Sequence, residues 1–229
     1  MAAGGSVVAI KYDGGVLMAA DTLLSYGAMA KQPNIPRMAI MGRTTCISAT
    51  GDYADFQAAY RELQSELEDA KMLEDGVSHT PKMIYSYLHR TVYGKRCDFE
   101  PWQCQFIVMG AATATEESFL GGIDSIGTKW AGDCVATGYG GHMSLPLLRA
   151  AIEKKQKATG DAKAKLTKAE AMNVLTDCMR VLFYRECRAV NRFQFAEATD
   201  GKVTISDPIT LDTEWEFSGF RFEKTAIIR

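Results

Sequence analysis

The residue with the most chemical promise is a carboxylate at the end of an apolar run. Asp21 directly follows VLMAA over residues 16–20, and an acid placed there needs a partner if the fold buries it. By itself it reads better as a strand-end cap than as a catalytic group. The run GYGG over residues 138–141 could present backbone N–H groups to an anion, but between a strand and a helix a tight turn is the better reading. His79, His89 and His142 are far apart in sequence, and each reads as a surface or packing residue. The cysteines, Cys46, Cys97, Cys104, Cys134, Cys178 and Cys187, contain no CxxC pair. Zinc-type spacing is therefore missing, and buried reduced thiols are the expected state. GxSxG, HExxH and P-loop patterns do not occur, so no familiar nucleophile, metal or phosphate site is expected, and no cofactor.

The elements that would position these groups follow from periodicity and turn chemistry. Residues 6–12 and 16–20 are apolar and β-rich around Asp13, Gly14 and Gly15, which predicts a hairpin. Residues 44–50 predict a short strand. After Gly51, Asp52 can cap a helix whose Phe56, Tyr60, Leu63 and Leu67 recur at helical spacing, with Gly76 marking its end. Thr80 and Pro81 open a second helix, and Met83, Ile84, Tyr87, Leu88 and Val92 give it an apolar face. Strands are expected at 104–111, 118–123 and 130–137, then a helix after Pro146. The lysine-rich stretch 154–165 reads as an exposed loop or frayed helix end. Thr167 to Glu170 has the capping-box pattern and starts a helix through Val174, Leu175, Cys178, Met179 and Leu182. Strands at 192–199 and 202–206 flank Asp200 and Gly201. Segregated runs of strands and helices point to an α+β layered fold.

With 229 residues, 47% of them hydrophobic, the chain can bury one large core. A net charge of −2 supplies no general attraction to nucleic acid or anionic membranes, so neither is expected as a partner. No apolar run approaches the roughly 20 residues that a membrane-spanning helix needs. Residues 1–5 have neither the basic nor the apolar region of a secretory leader.

The opening, SVVAIKYDGGVLMAAD over residues 6–21, resembles the start of the beta subunits of the eukaryotic 20S proteasome, members of the N-terminal-nucleophile hydrolases. GDYADFQ at 51–57, ATGYG at 136–140, PLLR at 146–149, CMRVLFYR at 178–185 and NRFQ at 191–194 extend the likeness over nearly the whole chain, toward a non-catalytic branch. The resemblance implies a four-layer αββα sandwich over residues 1–211. In that family a terminal threonine attacks the substrate, assisted by an aspartate, a lysine and serines. Carried over position by position, the nucleophile falls on Gly5, the aspartate on Asp21, the lysine on Arg37 and the serine of the glycine-rich turn on Tyr139. The later aspartate falls on Glu186, and its nearby serine on Arg188 or Ala189. Glycine has no side chain to attack with, and arginine stays protonated where a lysine could be tuned.

The resemblance therefore implies a structural subunit without its own peptidase site. Its partners would be other beta subunits of the same and the opposite ring and alpha-ring subunits, in cytoplasm and nucleus. Residues 212–229 would form a tail anchored on neighbours through Trp215, Phe217, Phe220, Phe222, Ile227 and Ile228. One rival reading is a hydrolase using Ser6 as a new terminal nucleophile. Alternation along the strand turns Ser6 away from the face of Gly5, and Arg37 would manage protons poorly. Another rival is a free-standing binding module, which would run as a monomer.

Overall fold

A computed structural model describes residues 2–74, 76, 78–113 and 116–216. Apolar alternation on both faces of the N-terminal hairpin sets the architecture. β1 (Ala3–Gly4), β2 (Val7–Tyr12) and β3 (Gly15–Asp21) are followed by β4 (Leu24–Tyr26), β5 (Met29–Gln32), β6 (Met38–Met41) and β7 (Thr45–Asp52). Then come α1 (Tyr53–Met72), α2 (Pro81–Cys97), β8 (Cys104–Gly110), β9 (Phe119–Ile123), β10 (Lys129–Ala131) and β11 (Cys134–Thr137). The chain continues through α3 (Gly140–Thr159), α4 (Lys168–Arg185), β12 (Phe193–Thr199) and β13 (Lys202–Ile205).

Among the described residues these strands form two antiparallel sheets. One has the order β10-β9-β8-β7-β1-β4-β5, with β6 also paired to β7. The other has the order β11-β2-β3-β12-β13. In β2 and β3, Val7, Ala9, Val16 and Met18 face a core shared with Cys46, Ile107, Met109 and Leu120 of the larger sheet. Their neighbours Val8, Ile10, Leu17 and Ala19 pack with Leu148, Leu175, Cys178 and Leu182 of α3 and α4. On the far side, Ile47, Phe106 and Val108 pack with Phe56, Leu63, Ile84 and Leu88 of α1 and α2. The layers therefore run helices, sheet, sheet, helices. Strands apolar on both faces are what a middle layer requires.

Three helix starts follow the side-chain chemistry. Asp52 accepts from the Ala54 N–H at 3.0 Å, Thr80 accepts from Met83, and Thr167 with Glu170 completes a reciprocal capping box. Four local expectations change. The single strand expected at 130–137 is two strands, one in each sheet, separated by Gly132 and Asp133. The helix expected after Pro146 begins at Gly140, so Pro146 lies within its first two turns. That helix runs on through the lysine-rich stretch to Thr159, where Gly160 at φ 70° closes it. On α2, Tyr85 is buried while Met83 is exposed. The Tyr85 hydroxyl lies 3.0 Å from the Gly122 carbonyl and 2.9 Å from that of Trp130, a polar anchor that an apolar stripe does not reveal. β4, β5 and β6 lack a strong pattern and were not expected.

Beyond Leu211, residues 212–216 lie along α4. Arg180 donates to the Asp212 carbonyl at 3.1 Å, and the Tyr184 hydroxyl bonds both the N–H and the carbonyl of Glu214. Trp215 meets Phe183 and Tyr184 edge-on at 5.7 and 5.0 Å between ring centres, yet remains 67% exposed. Phe217, Phe220, Phe222, Ile227 and Ile228 lie outside the described residues.

Candidate functional site

Asp21 ends β3 where the hairpin meets the start of the chain, and Arg37 stands just before β6. Both are buried, Arg37 to 2% exposure, so the charge of each requires a counterpart. The Arg37 guanidinium pairs with Asp21 and donates to the Gly5 carbonyl, and it reaches the Ala49 carbonyl at 3.1 Å. The hydroxyl of Ser48 bonds the Arg37 carbonyl at 2.7 Å and fixes its backbone. Burial pushes the Asp21 carboxyl up to about 6; Arg37 opposes this shift and Glu186 adds to it. One arginine thus joins the hairpin end, the chain's first turn and β7.

Gly5 lies between β1 and β2, facing the last turn of α4. A Cβ placed there would stand 3.0 Å from Glu186 Oε1 and 3.3 Å from the Arg188 carbonyl. Glu186 is the C-cap residue of α4, so the helix end delivers its carboxylate to this spot. The other oxygen, Oε2, accepts from the Ser6 hydroxyl at 2.7 Å. Ser6 Oγ in turn accepts the Gly140 N–H at 2.9 Å, linking the hairpin to the start of α3. Ser6 is only 3% exposed. Its hydroxyl is engaged on both sides and is not offered to solvent.

Above this arrangement lies an open cavity of about 500 Å³ lined by residues including Gly5, Gln105, Tyr139, His142, Glu186 and Arg188. Gln105 Oε1 accepts the Gly138 N–H at 3.3 Å. Tyr139 occupies the N-cap position of α3 without a side-chain capping bond, and is 54% exposed. The glycine-rich run is therefore a tight strand-to-helix turn.

The structure brings Gly5, Asp21, Arg37 and Glu186 into one group and sets Tyr139 on the cavity wall beside it. Ala189 does not line the cavity. Sequence reasoning missed the linking roles of Ser6, Ala49 and Gln105. Two of these act through backbone atoms or across sheets, and no spacing in the chain signals such contacts. Chemically, the arrangement offers no side chain at Gly5 and, below it, a guanidinium bound to Asp21 and to the Gly5 and Ala49 carbonyls through its two terminal nitrogens. It holds the backbone of the hairpin end, the first turn and β7 together.

Four layers built on this hairpin define a sandwich of the N-terminal-nucleophile hydrolase type. The family model for the proteasome subunit matches residues 1–198. Proteasome subunit beta type-4 of Xenopus laevis is 36% identical over 95% of this chain and 86% of its own length. The beta type-4 subunit of Arabidopsis thaliana is 38% identical over 95% of this chain and 83% of its own. A probable beta type-7 subunit of Schizosaccharomyces pombe is 34% identical over 94% and 80%. The chain belongs to the proteasome beta-subunit family.

Proposed function

We infer that this chain is a non-catalytic structural subunit of the beta ring of a 20S proteasome core particle, supporting assembly of a complex that degrades proteins. The observation that carries this reading is the nucleophile position itself. Gly5 supplies no hydroxyl, its carbonyl is held by Arg37, and Glu186 and the Arg188 carbonyl close the space a side chain would need. Losing the attacking group removes the covalent pathway. The nearest hydroxyl, on Ser6, is buried between Glu186 and Gly140.

The subunit's partners are beta subunits of its own and the facing ring and alpha subunits above it, and it works in cytoplasm and nucleus. The tail from residue 212 leaves α4 with an exposed tryptophan, and an apolar terminus of this kind suits a contact with a neighbouring subunit. The test is to treat purified particles with a threonine-directed covalent inhibitor and weigh every chain. Other beta chains should gain the adduct while this one keeps its unmodified mass. An adduct on Ser6 would restore the hydrolase reading, and a chain that runs alone at its own mass would remove it from any ring.

A further inference from the structure

A second cavity, of about 620 Å³, lies at the other end of β7 from Gly5. Thr50 and Gly51, near the end of β7, line the cavity beside Gly5, whereas Arg43 and Thr44, just before that strand, line this one. Lys71 reaches it from the last turn of α1, and His79 and Thr80 from just before α2. Three segments far apart in sequence thus bring a guanidinium, an ammonium and an imidazole to one space. A lysine in the last turn of a helix is ordinary by itself, because it meets the negative end of the dipole. A guanidinium on the same cavity has no such explanation, and two like charges around one space repel until an anion joins them. Neither Arg43 nor Lys71 forms an ion pair among the described residues. The described residues of the lining include no carboxylate. The Thr80 hydroxyl accepts from the Met83 N–H at 3.4 Å and keeps its own proton to donate. It caps a helix of 17 residues, whose N-terminal end favours negative charge. Leu67 and Ile84, both buried, form the apolar part of the wall. No aromatic ring is among the described lining residues, so a nucleobase would find nothing to stack on.

We propose that this cavity binds a small phosphate monoester with a short aliphatic or polyol body. Arg43 and Lys71 hold the phosphoryl oxygens, the guanidinium through the paired geometry that suits such oxygens. His79 and the Thr80 hydroxyl supply further donors, and the body of the ligand lies against Leu67 and Ile84. A phosphate monoester brings three acceptor oxygens and nearly two charges, which answers this set of donors better than a carboxylate does. The volume lies within the range of small-ligand sites. The cavity shares no described lining residue with the one beside Gly5. A subunit that lost its nucleophile therefore keeps a ligand site of its own.

The experiment is protection from chemical labelling in assembled particles. Lysines are acetylated and histidines are modified with diethyl pyrocarbonate, with glycerol phosphate, with glycerol, or with neither, and the labelled residues of this chain are located by mass. Glycerol phosphate should slow labelling at both Lys71 and His79, reaching about tenfold when it stands at ten times its dissociation constant, as simple occupancy requires. Labelling at His142 and Lys168, away from the cavity, should not change. Glycerol alone should protect neither site. Arg43→Ser, a change at an exposed turn, should abolish the protection, and Arg43→Lys should keep part of it. Protection by glycerol, equal protection at His142, or no protection at saturating glycerol phosphate overturns the proposal, and these readings need only the natural chain. So does a Lys71 and His79 pair that resists labelling in particles without any ligand but reacts once they are dissociated, which would assign the cavity to a neighbouring subunit. None of these outcomes bears on whether the subunit is catalytic, which the inhibitor adduct reports separately.

Discussion

At the scale of the residue, two positions decide what this subunit can do. Gly5→Thr restores a hydroxyl, but its Cβ arrives 3.0 Å from Glu186 Oε1 and 3.3 Å from the Arg188 carbonyl, closer than ordinary van der Waals contact. The guanidinium below is committed to three partners, Asp21 and the carbonyls of Gly5 and Ala49. Catalytic groups that act as a unit do not recover singly. Peptidase activity in particles whose other beta sites are blocked should remain at background for this variant; measurable turnover would show that Arg37 can do a lysine's work. Arg37 itself should be far less replaceable. Arg37→Met leaves Asp21 buried without its partner and the carbonyls of Gly5 and Ala49 without their donor, a loss of about 3–5 kcal/mol by the usual cost of breaking a buried pair from one side. The variant should be depleted from assembled particles and denature at lower urea concentration. Arg37→Lys, which keeps the charge but has no planar fork to reach three acceptors, should fall between the two.

Elements show where the sequence is legible and where it falls silent. The hairpin, both caps of the first helix pair and the capping box could all be read, because each is a local matter of turn or cap chemistry. Thr167 and Glu170 satisfy one another's donors, so Thr167→Ala should cost about 1 kcal/mol. Hydrogen exchange over residues 168–172 in the particle is the measure, and unchanged protection there would mean that packing alone holds the helix start. The boundary between β10 and β11 escaped because both halves look like strand. Which sheet each half joins depends on partners far off in sequence, Gly121 to Ile123 for one and Val7 to Ile10 for the other. Pro146 misled for a related reason. Its ring fits an early turn of a helix whose true start is the glycine turn six residues before. Asp21 was noticed as a carboxylate needing a partner, and Arg37 supplies it. The carboxylate–hydroxyl–amide chain through Glu186, Ser6 and Gly140 joins three elements, and no window of residues contains it.

For the whole molecule, the last described residues run along α4. Leu211 is buried with the α3–α4 core, and the stretch after it is strapped to α4 by Arg180 and Tyr184. Deleting residues 218–229 leaves every described residue of the three cores in the chain. The shortened subunit should therefore fold and enter half-particles, which should accumulate on native gels if the tail joins the rings. Loss of the subunit before that stage would assign the tail to its own fold. The smaller sheet has a different consequence, concerning how the chain is made. Its centre is the first hairpin, yet the strands on either side of that hairpin, β11 and β12, are synthesised far later. At ribosomal speeds of about 5–20 residues per second, β3 waits roughly ten to forty seconds for β12. During that time two apolar strands stand with both edges unpaired, a ready template for wrong pairing with other chains. The newborn polypeptide must therefore be shielded at residues 7–21 until its last strands emerge. Ribosome-bound chains stalled before Phe193 should crosslink to a chaperone over that stretch, and chains released after Ile205 should not.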